Sequence, residues 1–268
     1  MSNYLPWQGV WDEAITNENL VSNRSGIPGL TNLFTRPLDY APHLCQYQPT
    51  GTLLECAETL YTSPLPNIPS TAPDTQFDYG GTQWQLAGGV AEIVGGASWN
   101  QLWDQYIGEP CGLTMARYGN NLGNATAWTG DADALGGLDN PNMEGGMMSG
   151  LDDYAKLLSL HLNDGLCGDN RVLSPEGVAF MRLARTAPGE TSPGYGMGWW
   201  VRPASEDGSI YLYVDPGFYG SISWIDIERE YAGAVFFEEY GGVGGQIGSG
   251  GVTRDLIPII EAAIDAVR

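Results

Sequence analysis

The stretch Pro73-Asp-Thr-Gln-Phe-Asp-Tyr-Gly-Gly-Thr-Gln-Trp-Gln-Leu-Ala-Gly-Gly89 decides how this chain is read. A Pro-Asp turn leads to two aromatic residues, Phe77 and Tyr79, and a glycine pair separates them from a helix. The helix is predicted from Trp84, Leu86, Ala87, Val90, Ile93 and Val94, which share one face at 3.6-residue periodicity, with Gly95-Gly96 as its stop. A tyrosine just ahead of a helix N-terminus, with glycines beside it, can present its hydroxyl to a cleft with little obstruction. The alternative is a ring that only packs.

Composition narrows the classes of function. The 268 residues include 32 acidic and 11 basic ones, for a net charge of −21. Lys156 is the only lysine. Such a field repels nucleic acid and anionic membranes, so neither is expected as a partner. The acidic residues are scattered along the chain, which suggests a solvated, salt-tolerant surface of the halophilic kind. With 43% apolar residues, 9 Trp and 14 Tyr, the chain has the means to build a core. No run approaches the roughly 20 apolar residues of a membrane span. Residues 1–7, Met-Ser-Asn-Tyr-Leu-Pro-Trp, have neither the basic nor the apolar part of a secretory leader. Cysteines stand at 45, 56, 111 and 167 without a Cys-x-x-Cys, beside two histidines, His43 and His161, so no metal or other cofactor is expected. Cys45 and Cys56 bracket a short Pro49- and Gly51-containing loop and are disulfide candidates. Cys111 and Cys167 could pair as well, and four buried thiols are the alternative.

Along the chain, Thr16 is placed to cap a short helix through Leu20-Val21, and a helix is predicted over Thr52–Tyr61 in a region, 31–72, that otherwise reads as irregular. Ser98 and Gln101 have capping-box spacing ahead of Trp99, Leu102, Trp103, Tyr106 and Ile107. Residues 119–148 read as a long loop. Ser149, with Asp152 three residues on, is expected to cap a helix burying Leu151, Tyr154, Ala155, Leu158 and Leu162, and Ser174-Pro-Glu176 starts another with Val178, Met181 and Leu183 inward. From residue 191 the pattern turns to β: Tyr195–Arg202, Ser209–Val214, Gly220–Ile227 and Tyr231–Glu239 suggest an antiparallel meander. Tyr240–Gly251 reads as a flexible connector without a phosphate-loop ending, and Val252–Val267 as an amphipathic helix covering the sheet. The fold class is α+β, with a helical, loop-rich region over 1–190 and the meander with its closing helix over 191–268.

Six segments, in order, resemble the serine β-lactamase-like superfamily, which includes class C β-lactamases, penicillin-binding DD-peptidases and related esterases. They are Ile15-Thr to Ile27-Pro, Pro73 to Gly88, Glu109-Pro-Cys-Gly-Leu-Thr-Met115, Gly145-Gly-Met-Met-Ser-Gly-Leu-Asp-Asp-Tyr-Ala-Lys156, Val172-Leu-Ser-Pro-Glu176 and Tyr195-Gly-Met-Gly-Trp199. The resemblance implies that Tyr79 is the family's proton-handling tyrosine, that the backbone N–H of Phe218 forms half an oxyanion hole, and that a periplasmic or secreted location is usual. It also exposes departures. No serine here is followed three residues on by lysine, the spacing that lets an amine activate a hydroxyl on one helix face. Gly81 stands where the family has an Asn that orients substrate. Asp215-Pro-Gly217, followed by Phe218 and Tyr219, stands for a Lys/His-x-Gly strand motif.

The expectation is therefore a β-lactamase-related hydrolase of esters or amides whose N-terminal strands and nucleophile helix lie outside this sequence. The chain would be inactive alone, with a complementing segment or self-association filling the exposed apolar surface. Substrate contacts would fall to Gly81, Asp215, Gly217 and Tyr219. The competing expectation is a non-catalytic small-molecule or peptide-binding module on the same fold. A hydrolase using Ser25 or Ser149 with His43 or His161 is a third, weakened by the lack of a Gly-x-Ser-x-Gly elbow.

Overall fold

Thr16 opens the first helix of the computed structural model, α1 (Asn17–Val21), with a reciprocal capping box to Asn19. Residues 1–29, 37–120, 138–191, 193–203, 211–237 and 248–268 are described. The predicted connector at 240–251, the centre of the 119–148 loop, and the outer ends of the runs 209–214 and 231–239 lie wholly or largely outside them. The chain divides into two compact units, Met1–Asp153 and Tyr154–Arg268.

In the first unit, Thr52 and Glu55 cap α2 (Leu53–Thr62). Helix α3 (Gly81–Gly95) begins three residues ahead of Trp84 and ends on Gly96, whose φ of 67° is the left-handed stop that glycine accepts freely. Leu86 and Val90 of α3 are buried with Leu20, Ile27 and Leu60, and Ala87 and Ile93 pack against the same core. Val94, expected inward, is exposed. Gln83 and Gln85 are fully buried instead, because hydrogen bonds described below satisfy their amides. At Gly89 an added Cβ would collide with Ala57, so the α2–α3 approach needs glycine there. Ser98 and Gln101 cap α4 (Trp99–Trp103), which passes through a π turn at Asp104–Gly108 into α5 (Glu109–Cys111). That turn inserts an extra residue per repeat and rotates Tyr106 outward, against expectation. Within 31–72, read as irregular apart from α2, Pro37–Tyr47 forms a 3-10 run. Strands β1 (Arg117–Tyr118) and β2 (Met147–Met148) pair antiparallel.

Helix α6 (Leu151–Leu162) leads into the second unit. Leu151 is exposed, whereas Tyr154, Leu158 and Leu162 pack inward as expected. Ser149 does not cap this helix: its hydroxyl donates to the Gly150 carbonyl, and the helix begins one residue later than the capping spacing assumes. The pair β3 (Leu166–Cys167) and β4 (Asn170–Arg171) follows, then α7 (Pro175–Arg182), capped by Ser174. Val178 is fully buried, but Leu183 has left the helix and is exposed.

The meander forms as expected. Strands β5 (Gly194–Tyr195), β6 (Trp200–Pro203), β7 (Tyr211–Pro216), β8 (Ser221–Asp226) and β9 (Tyr231–Phe236) pair antiparallel in chain order. Period-two alternation sorts the side chains. Leu212, Val214, Ile222 and Trp224 meet Ile257 of α8 (Ser249–Asp265), and Ile225 meets Leu158 and Trp199 on the opposite face.

Cys45 and Cys56 are joined in a disulfide, and none of the four cysteines is a free thiol. The crosslink spans 11 residues. Closing so short a loop in the unfolded chain removes about 2–3 kcal/mol of its entropy. Replacing both with serine is expected to lower unfolding stability by about that amount, measured by denaturant titration.

Candidate functional site

Tyr79 sits on a loop held from both sides by buried amides. Asn23 takes a left-handed backbone conformation, φ 56°, which asparagine tolerates better than most residues. Its carbonyl accepts from the Asp78 N–H at 2.9 Å, and its side-chain oxygen accepts from the Gly80 N–H at 3.0 Å and from Gln83 Nε2 at 3.1 Å. Gln83 also donates to the Asp78 carbonyl at 2.7 Å and accepts from the Ser25 hydroxyl at 2.5 Å. The residues before and after Tyr79 are thus tied to the segment 20–27. A buried Ser25 hydroxyl engaged in this way serves structure, which removes it as a nucleophile candidate.

Beside this loop the 3-10 run and the β2 approach bring in three residues that sequence reasoning missed. Tyr47 donates from its hydroxyl to Glu144 Oε2 at 3.4 Å. Gln46 Nε2 donates to the His43 carbonyl and to Thr82 Oγ1, both at 3.1 Å. Gln46 Oε1 and Glu144 Oε2 converge on the point above Gly81 where a Cβ would lie. Burial, opposed only by the Tyr47 hydrogen bond, pushes the Glu144 carboxyl up to about 7. Burial and the Glu144 charge push the Tyr47 phenol well above its usual value. Glu144 lies between two motif positions and had no partner visible in sequence. Its placement depends on contacts with residues nearly 100 positions away.

Those contacts are amide-to-carbonyl. Asn120 Nδ2 donates to the Gln46 and Gln48 carbonyls, Asn140 Nδ2 to those of Cys45 and Gln48, and Asn142 Nδ2 to that of Gln46, at 2.8–3.1 Å. Gln85 completes the set by donating to Asn140 Oδ1 and the Pro141 carbonyl and accepting from the Met143 N–H. His43, at the same run, is buried edge-on to Trp11, and desolvation lowers its pKa.

The other predicted positions lie in the second unit, at the β7–β8 connection. Gly217 N–H donates to the Ser221 carbonyl at 2.6 Å, and Gly217 has no room for a Cβ against the Ser221 hydroxyl. Phe218 is exposed and meets Tyr219 edge-on at 5.6 Å. At Asp215 the Tyr154 hydroxyl donates to Oδ2 at 3.2 Å and lies 3.1 Å from Ser223 Oγ. Loss of hydration raises the Asp215 carboxyl pKa although the side chain keeps contact with solvent, and the Tyr154 bond opposes the shift. Tyr154 reads from sequence as a packing residue only. His161 packs edge-on against Trp199, and burial lowers its pKa to about 4, as suits a core histidine. Among the described residues no cluster of His, Cys, Asp or Glu suits a metal ion, and no helix is long and apolar enough to cross a membrane.

The Beta-lactamase family profile matches residues 1–246. The chain belongs to that family. Three solved structures share its fold. A candidate beta-lactamase from Bacteroides dorei DSM 17855 is 26% identical with a TM-score of 0.67, over 97% of this chain and 76% of that one. The octameric penicillin-binding protein homologue from Pyrococcus abyssi is 18% identical with a TM-score of 0.70, over 97% of this chain and 59% of that one. EstCE1, a hydrolase with promiscuous acyltransferase activity, is 18% identical with a TM-score of 0.70, over 91% and 74%. No match is found among curated proteins. Within this family, the fold and the motif order read from the sequence agree with the structure.

One further carboxylate shapes the first unit. Asp153 Oδ2 accepts from the N–H groups of Thr114, Met115 and Ala116 at 2.5–3.0 Å. It is buried, so its loss strands three donors. Asp153→Ala is expected to cost about 3 kcal/mol or more and Asp153→Asn clearly less, read from denaturant midpoints.

Proposed function

We propose that this chain carries the cleft framework of an acyl-serine hydrolase acting on esters or amides, and that on its own it does not turn over substrate. The observation that carries the reading is chemical: Lys156 follows Asp153 at three residues, so no hydroxyl in the 268 residues is paired with an amine at the activating spacing. In this reading Tyr79 is the proton relay for a serine that another segment supplies, and the Phe218 N–H is half of the oxyanion hole. Asp215, tethered by Tyr154, offers negative charge where the family's basic residue would draw in a carboxylate, so neutral or amine-bearing ligands are favoured over anionic ones.

The same tether supports a second reading, a non-catalytic module that binds a small molecule or peptide through amino groups. The expected outcome is no hydrolysis of p-nitrophenyl butyrate or nitrocefin above the uncatalysed rate, with Tyr79→Phe indistinguishable from the parent. Turnover that Tyr79→Phe abolishes would overturn the inactive reading. Calorimetric titration with matched amine and carboxylate forms of one peptide separates the second reading, which requires the amine form to bind and Asp215→Asn to weaken it.

A further inference from the structure

Two side-chain oxygens, Gln46 Oε1 and Glu144 Oε2, converge on the point above Gly81 where a Cβ would lie. Gln46 is 2% exposed, and its amide orientation is fixed: Nε2 donates to the His43 carbonyl, and exchanging O and N would set an oxygen against that carbonyl. Oε1 is consequently left buried with no donor among the described residues. A buried acceptor without a donor is costly, and an ionised carboxylate beside it adds repulsion between lone pairs. Glu144 Oε2 is that neighbour, reaching the same point above the Gly81 Cα.

We propose that Glu144 carries a proton and donates it to Gln46 Oε1, so that the chain presents over Gly81 a neutral carboxylic acid in place of a side chain at position 81. One proton turns the repulsive pair into a hydrogen bond and satisfies the buried amide. It also orders a directional chain: the Tyr47 hydroxyl to Glu144, Glu144 to Gln46, Gln46 to Thr82. A neutral acid has one donor and one acceptor, as a carboxamide does. Gly81 is required because the acid fills the space of a Cβ. Glu144 is thus a positioning residue for Tyr47, whose hydroxyl donates to it.

The surroundings favour this state. Desolvation raises the Glu144 carboxyl to about 7, and the Tyr47 hydrogen bond opposes it. Of the other titratable groups nearby, His43 faces the Ser63 carbonyl and Trp11, and Asp78 is hydrogen-bonded by the Gly29 backbone. Because the folded-state value is raised above the usual 4.5, this group's stabilisation is fully present at low pH and is lost as pH rises from about 4.5 through about 7.

The test combines a carboxyl titration with variants. In protein labelled with carbon-13 at glutamate side-chain carboxyls, one resonance, absent from Glu144→Gln, is expected to titrate near pH 7. Glu144→Gln supplies a permanent donor and is expected to match the parent's thermal midpoint at pH 5.5 and to exceed it by at least about 3 °C at pH 8.5. Glu144→Ala is expected to melt below both at pH 5.5. Gly81→Asn is expected to destabilise, and Gly81→Asn with Glu144→Ala to recover much of that loss, a coupling that distant sites would not give. A Glu144 resonance, assigned by through-bond correlation to its own backbone, that titrates near the ordinary glutamate value overturns the proposal, even if no variant folds. So does a Glu144→Gln midpoint as low as that of Glu144→Ala at pH 5.5.

Discussion

Asn23 gives up the ordinary backbone region so that its carbonyl and side chain can both turn toward one neighbouring loop. That loop has few apolar side chains to bury, so hydrophobic burial alone cannot hold it. Three hydrogen bonds accepted by Asn23, one of them from Gln83, and a further one that Gln83 donates to the Asp78 carbonyl hold it instead, each in a dry environment where leaving a partner unmade is expensive. Much of the first unit follows from this. Segment 20–27 must dock on 78–83 with no slack, and Tyr79 inherits a fixed position from residues on either side of it.

The second unit reaches rigidity by a different route. Its sheet alternates strictly, and the two faces serve separate ends. One face is apolar against α8. The other carries a polar corner where Tyr154 bridges Asp215 and Ser223, residues paired directly across β7 and β8. Arg229 fastens the far end, binding Asp226 within the β8–β9 turn and Asp265 on α8 at 2.9 Å each. Opposite charges around a single guanidinium hold helix to sheet in a chain otherwise dominated by acids.

Fold class, strand order and the helix starts at Thr16, Ser98 and Ser174 were legible in the sequence because each rests on local signals, the caps on contacts three residues away, although the same spacing at Ser149 misled. Tyr79 could be singled out because its motif is contiguous. Gln46, Tyr47 and Glu144 were not, since their meeting depends on amides of Asn120, Asn140 and Asn142 that carry no periodic pattern and look like loop composition. The exposure of Tyr106 was hidden for a related reason, as a π turn breaks the 3.6 period without any signature residue. Glycines misled in a specific way: Gly81 reads as a lost side chain, whereas in space it is the room made for another residue's carboxyl.

These contacts join partners that lie at very different distances along the chain. Cys45 and Cys56 are separated by 11 residues, whereas the asparagine donors to the Cys45, Gln46 and Gln48 carbonyls lie 92 to 96 residues downstream for Asn140 and Asn142. With the crosslink in place, the 45–56 loop has fewer conformations to lose when the distant asparagines dock on its carbonyls. The covalent bond therefore lowers the entropy cost of assembling the most widely separated contacts of the first unit.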